Sequence, residues 1–139
     1  MALPEKIDLE VVTPQRLVLH ADVESVELPG RDGYLGVLPG HAPLLTELGI
    51  GVLTYRANGQ SHVLAVMEGF SEVLPDRVIV LAEISEKPAE IDVERCRAEL
   101  REAQELVAKT GSPDVDWQRA QAALQRAMVR IEVASKAGS

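Results

Sequence analysis

With 139 residues the chain has room for one ordinary domain, or a small domain with an appendage. Its residues are 46% hydrophobic but only 3% aromatic, so the core must be aliphatic and base-stacking nucleic-acid surfaces are excluded. A formal net charge of −8 excludes a general binder of phosphate backbones, and the single cysteine, Cys96, excludes an internal disulfide. No basic flank and apolar stretch of the signal-peptide kind opens the sequence, and no run approaches the roughly 20 apolar residues needed to span a bilayer. A cytosolic chain is expected, with membrane association only through a partner.

The acid is unevenly spread. Residues 1–87 carry 6 basic and 13 acidic side chains, whereas residues 88–139 carry 8 and 9. Over residues 117–139 alone, Arg119, Arg126, Arg130 and Lys136 stand against Glu132. A basic tail after an acidic body reads as a solvated helix face, or as a surface for an acidic partner or a phosphate.

In chain order, Ile7, Leu9 and Val11 alternate with Asp8 and Glu10, the period of a half-buried strand. Thr13-Pro14 breaks that run, and Arg16–His20 and Val23–Leu28 follow as further strand candidates. From Gly33 to Leu45 three glycines and two prolines punctuate aliphatic residues, which predicts a shaped corner between strands. Gly51–Arg56 and Ser61–Val66 flank Asn58-Gly59, the positive-φ pair of a type I′ hairpin turn. Phe70–Leu74 and Arg77–Leu81 flank Pro75-Asp76, a second predicted hairpin. Eight to ten short strands at regular turn spacing predict an all-β N-terminal sandwich or flattened barrel over residues 1–87.

Residues 88–139 read as an antiparallel two-helix hairpin. Asp92 suits an N-cap, and Cys96, Leu100, Ala103 and Val107 recur at helical spacing. Gly111 and Pro113 end that helix, and Asp116 caps a second whose stripe is Trp117, Ala120, Leu124, Ala127, Ile131 and Ala134. An alanine-rich stripe buries little area per residue, so the hairpin is expected to dock weakly enough to switch between two packings.

No constellation of nucleophile, base and orienter is present. His20, His41 and His62 lack metal-ligand spacing, no Gly-x-Ser-x-Gly elbow surrounds a serine, and the glycine-rich corner lacks the lysine of a phosphate loop. No catalytic or metal site is expected, and Cys96 on an apolar stripe reads as a small hydrophobe.

The step Gly33-Tyr34-Leu35-Gly36 followed by Leu38-Pro39-Gly40-His41-Ala42-Pro43-Leu44 closely resembles the signature of the epsilon subunit of rotary F-type ATP synthases. The resemblance extends to Gly69-Phe70-Ser71-Glu72-Val73, to Val78–Ala82 and to the terminal hairpin, and so covers nearly the whole chain; Glu68 stands where the family commonly has glycine. It implies a non-catalytic rotor component of the central stalk. The sandwich would contact the gamma subunit and the c-subunit ring, with Tyr34 and His41 in the partner-facing part. The hairpin would reach toward the catalytic alpha and beta subunits and restrain ATP hydrolysis. The implied location is the cytoplasmic face of a bacterial membrane, or its plastid thylakoid equivalent, held there by the complex.

Ile91-Asp92-Val93-Glu94-Arg95-Cys96 is also similar to the motif with which some bacterial epsilon subunits bind ATP, with Cys96 at the usual alanine. Glu86 and the pair Arg126 and Arg130 match the rest of that motif. Arginines four apart share a helix face and can contact one polyphosphate through charge-assisted forks. The resemblance thus implies ATP as a regulatory ligand held by Glu86, Ile91, Asp92, Arg95, Arg126 and Arg130. The same residues also read as an N-cap and ordinary helical ion pairs to Glu94, Glu99 or Glu132. A sandwich module whose helical tail binds an unrelated protein is the other function class left open.

Overall fold

The structure, a computed structural model, describes residues 4–109, 111–113 and 116–136. The outer limits of the two expected units, residues 1–3 and 137–139, lie outside them. Seven strands come first: β1 (Ile7–Val12), β2 (Leu17–Val23), β3 (Ser25–Gly30), β4 (Gly33–Val37), β5 (Leu44–Ala57), β6 (Gln60–Leu74) and β7 (Arg77–Glu86). A 3-10 turn over Pro88–Glu90 leads to α1 (Val93–Ala108) and α2 (Trp117–Ser135). The architecture is the expected sandwich followed by two packed helices.

The strands run β2-β1-β7-β6-β5-β3-β4, antiparallel except for the β1–β7 pair, which is parallel. Both predicted hairpins form. Asn58 and Gly59 take φ of 54° and 76° between Ala57 and Gln60, and Leu74 pairs with Arg77 across Pro75-Asp76. The predicted number of strands is too high, because β5 and β6 are long: 14 and 15 residues. Ser61–Val66 and Phe70–Leu74 are parts of one strand. Pairing lapses at one level on three neighbours, at Gly49, Glu68 and Glu83. There Glu68 and Gly69 adopt φ of 60° and 119°. A Cβ on Gly69 would lie 2.0 Å from the Leu81 carbonyl oxygen, so this strand approach requires glycine.

The glycine–proline corner forms as expected. β4 ends at Val37, residues 38–43 turn, and the Gly40 N–H donates to the Pro75 carbonyl at 2.7 Å, tying the corner to the β6–β7 turn. One aliphatic core gathers inward residues of every strand, among them Ile7, Leu9, Val18, Leu28, Val37, Leu53, Leu64, Val73 and Val80. A second, smaller one lies on the opposite face. Leu53, Leu64 and Val66 point into the sandwich, while Val52, Ala65 and Met67 point out and are covered by Val133 of α2, with Ile50, Val63, Ile91 and Val129 packed around them. Burial on both faces is why Val63–Met67 reads as an unbroken apolar run rather than an alternating one.

Asp116 and Asp92 cap the two helices as predicted, each accepting from the N–H three residues on at 3.1 Å. α2 lies against β5 and β6, and α1 packs on α2. Cys96 and Ala103 are buried on α1, and Ala120 and Ala127 on α2. The predicted stripe of α2 is incomplete. Trp117 is 47% exposed, and the side chain that seals the helix to the sheet is Val133, off that stripe. A helix packed on two neighbours has two apolar faces, and one heptad-like seam describes only one of them.

Candidate functional site

The end of β7, the 3-10 turn and the start of α1 converge on the last two turns of α2. A cleft of about 260 Å³ opens there, lined by Glu86, Glu90, Ile91, Asp92, Arg95, Cys96, Glu99 and Arg130. The structure thus brings five of the six expected nucleotide residues together. The sixth, Arg126, does not line the cleft. It sits one turn before Arg130 and has no ion pair among the described residues.

The electrostatics are set by acid. Arg130 Nε donates to Glu86 Oε1 at 2.6 Å, and its guanidinium lies 3.9 Å from Glu99. Arg95 Nε donates to the same Glu99 carboxylate at 3.1 Å. Asp92 is occupied as the cap of α1. Four carboxylates therefore face two guanidiniums, and both guanidiniums are engaged. Arg130 and Glu86 have side chains only 19% and 28% exposed, which makes theirs the most shielded ion pair of the set. It joins the sheet to α2, a tertiary link that helical spacing alone did not suggest; the sequence reading paired these arginines with Glu94, Glu99 or Glu132. Burial pushes the Cys96 thiol up from its ordinary range, with Arg130 opposing.

A second bridge lies beside the cleft. Arg16, in the β1–β2 loop, contacts Glu90 at 2.6 Å. Its hydrogen bond, and one from the Lys87 backbone N–H, hold the Glu90 carboxyl below the usual carboxylate range. The loop is thereby fastened to the turn that leads into the helices.

The two expected partner residues lie apart from this cleft. Tyr34 is 57% exposed on the terminal strand β4, and its hydroxyl accepts from the Val52 N–H at 3.1 Å. Gly51 makes that possible, since a Cβ there would lie 2.7 Å from the Tyr34 oxygen. His41 sits in the corner with Nδ1 2.7 Å from the Ala42 carbonyl oxygen. Sequence reasoning passed over the exposed aliphatics of the same region, Leu38 and Leu45, and the exposed cross-strand pair Phe70 and Leu81. The signal was available: Leu45, Phe70 and Leu81 occupy outward positions of their strands, and Leu38 lies in the turn after β4. Asp8, Glu10 and His20 also gather on β1–β2, with Arg77 already on Glu10 at 3.4 Å. No helix among the described residues is long and apolar enough to cross a membrane.

Residues 6–88 match the family described as ATP synthase, Delta/Epsilon chain, beta-sandwich domain, and residues 89–135 match its long alpha-helix domain. The ATP synthase epsilon chain of Syntrophobacter fumaroxidans is 46% identical over 134 residues, covering 96% of this chain and 99% of that one. That of Geobacter sulfurreducens is 43% identical over 135 residues, covering 97% and 98%. Among solved structures, a chain of the Euglena gracilis mitochondrial ATP synthase superposes with a TM-score of 0.82 at 22% identity, over 97% of this chain and 84% of that one, a likeness of fold. With its sandwich and its helical pair both matched and its relatives matched almost end to end, the chain belongs to the ATP synthase Delta/Epsilon family, among the non-catalytic epsilon chains.

Proposed function

We propose that the chain works as a rotor component of an F-type ATP synthase, with residues 1–87 as the platform that rides the stalk and residues 88–139 as a regulatory arm. The platform would contact the gamma subunit and the c-subunit ring through the corner that holds Tyr34 and His41. The exposed Leu38, Leu45, Phe70 and Leu81 support this, because clustered outward apolar side chains mark partner surfaces. Association with the cytoplasmic face of a bacterial membrane, or its plastid counterpart, would follow from the complex.

The observation that carries the regulatory reading is how little holds the arm down. α2 meets the sheet through a small apolar patch centred on Val133 and through the Arg130–Glu86 pair, the turn before α1 is tied by the Arg16–Glu90 pair, and α1 is held by α2. Such an arm can leave the platform, reach the alpha and beta subunits with its basic second helix, and restrain hydrolysis. In this reading ATP favours the docked arm, because only docking sets Arg130 against Glu86 of the platform, in the cleft that Ile91, Asp92 and Arg95 also line. A cleft of 260 Å³ lies just under the range of about 300–1,000 Å³ typical of ligand sites. ATP would therefore displace Glu86 and Glu99 from the arginines, with Arg126 swinging in from the adjacent turn. At 100 times its dissociation constant it would add about 2.7 kcal/mol to the docked state.

Crosslinking from the arm to the platform, or from the arm to the beta subunit in the assembled complex, with and without ATP, tests the switch. ATP should move the yield from beta to the platform. Calorimetry of the isolated chain tests the site. Binding that survives both Arg126→Ala and Arg130→Ala, or no heat at millimolar ATP, would reject the nucleotide reading and leave the rotor role standing.

A further inference from the structure

A wider cavity, of about 780 Å³, lies between the first turns of α2 and the sheet, and its size falls within the range of small-molecule sites. Trp117, Gln121, Gln125, Val129 and Val133 recur every four residues and form one ridge of α2. Val129 and Val133 seat that ridge on the apolar patch, whereas Gln125, Gln121 and Trp117 line the cavity. The opposite wall is the level at which pairing lapses across β5, β6 and β7. Glu68 faces Glu83 there, both are exposed, and neither has an ion pair among the described residues. Like charges directly opposite one another weaken a sheet, and Glu68 also holds its φ of 60° at a cost. Beside them Glu47 and Phe70 are cross-strand partners that point away from the core, since the adjacent Leu48 and Ser71 are buried. Arg31, the one basic residue among the described lining residues, is already engaged with Glu47 at 2.6 Å.

We propose that this cavity binds a small organic cation, an amine or guanidine on an alkyl chain. The cationic group sits between the Glu68 and Glu83 carboxylates and donates charge-assisted hydrogen bonds to both. Its alkyl chain lies against Phe70 and Trp117, whose side chains are half-exposed and so have apolar surface left to cover. The amide oxygens of Gln121 and Gln125 accept the remaining N–H groups from above. A cation between the two glutamates also removes their mutual repulsion, a gain that a neutral ligand does not offer. The walls come from both parts of the molecule: Glu68, Phe70 and Glu83 from the platform, Trp117, Gln121 and Gln125 from the arm. A ligand that spans them binds the docked arm better than the released one, so it stabilises docking by its differential affinity. None of these residues lines the arginine cleft, so this site and the nucleotide reading above stand or fall separately.

The test titrates the full chain, without nucleotide and at constant ionic strength, with agmatine and separately with spermidine. The readout is the fluorescence of Trp117, the single tryptophan of the chain. A saturable change with either cation is expected. Glu68→Gln and Glu83→Gln, which keep the side-chain shape and remove one charge each, should each weaken binding by about tenfold or more. Gln121→Lys should weaken it as well, by placing a fixed cation where the ligand lies. Ammonium ion and 1,6-hexanediol should each bind at least about tenfold more weakly, because each offers half of the chemistry. Saturating agmatine should also slow modification of Cys96 by a disulfide reagent, since the arm stays docked for longer. The proposal is overturned if neither cation changes the Trp117 signal at millimolar concentration, if both glutamine variants bind as the wild type does, or if hexanediol binds as well as the cations. Binding that leaves the Cys96 rate unchanged overturns it too, because such a ligand does not bridge arm and platform.

Discussion

The Arg130–Glu86 pair offers the sharpest test of how the arm is held. It joins α2 to the end of β7 at 2.6 Å, with the two side chains 19% and 28% exposed. A fully exposed pair contributes about 0–1 kcal/mol. Stranding one partner of a fully buried pair costs about 3–5 kcal/mol. At this intermediate shielding, Glu86→Gln or Arg130→Gln should weaken docking by about 1–2 kcal/mol, a factor of about 5–30 in the docked-to-released ratio. Cys96 reports the change, because the residue is 4% exposed and lines the cleft with Glu86 and Arg130. Undocking takes Glu86 away from it, so the rate of modification by a disulfide reagent should rise in proportion to the released population. The double variant should lose less than the sum of the singles, by about 0.5 kcal/mol or more, since neither glutamine then faces an unpaired charge. High salt should speed modification of the wild type and barely change the double variant. Unchanged thiol reactivity in both single variants, or strictly additive effects, would refute the view that this pair fastens the arm.

The other expected outcomes separate the arm from the platform. Val133→Ala removes two methyl groups from a fully buried side chain at the helix–sheet contact, about 1.5 kcal/mol by transfer alone. It should accelerate Cys96 modification while amide exchange in the core strands stays at the wild-type rate; slowed or unchanged thiol reactivity contradicts the docking role. Glu68 holds a φ of 60° that a side chain adopts at a cost of about 1–2 kcal/mol, and glycine returns about 0.5–1 kcal/mol of that as added freedom of the unfolded chain. Glu68→Gly should therefore stabilise the sandwich by about 0.5–1 kcal/mol and raise Tm by a few degrees in calorimetry. The Glu90 carboxyl is held low in the folded chain, chiefly by Arg16. A depressed folded value means that its contribution is present above the unfolded value, about 4.3, and is lost as pH falls through the folded one. Denaturant titrations of Glu90→Gln and wild type should thus differ near neutral pH and converge in acid; a gap that persists in acid would assign the effect to packing instead.

How much could be read without coordinates depended on the range of the interaction concerned. The sequence alone determined what short-range chemistry controls. Asn58-Gly59 dictated its turn because two adjacent residues needed positive φ. Asp92 and Asp116 dictated helix starts because a carboxylate satisfies the N–H three residues away. The proline and glycine spacing of residues 33–45 fixed the corner, and carried the family resemblance, for the same local reason. Tertiary structure decided what depends on distant partners. Nothing local to β1 foretells that it lies parallel to β7, and nothing in the α2 stripe says that Val133 faces a sheet while Trp117 stays largely wet. The unbroken run Val63–Met67 held the missing clue, since a strand apolar on both faces needs a cover on each side, but the identity of the cover could not be read from it. The candidate cleft divides along the same line. Its residues were legible as a motif, and their ion-pair partners were not. Glu86 and Arg130 are 44 positions apart, and only folding puts the carboxylate on the guanidinium.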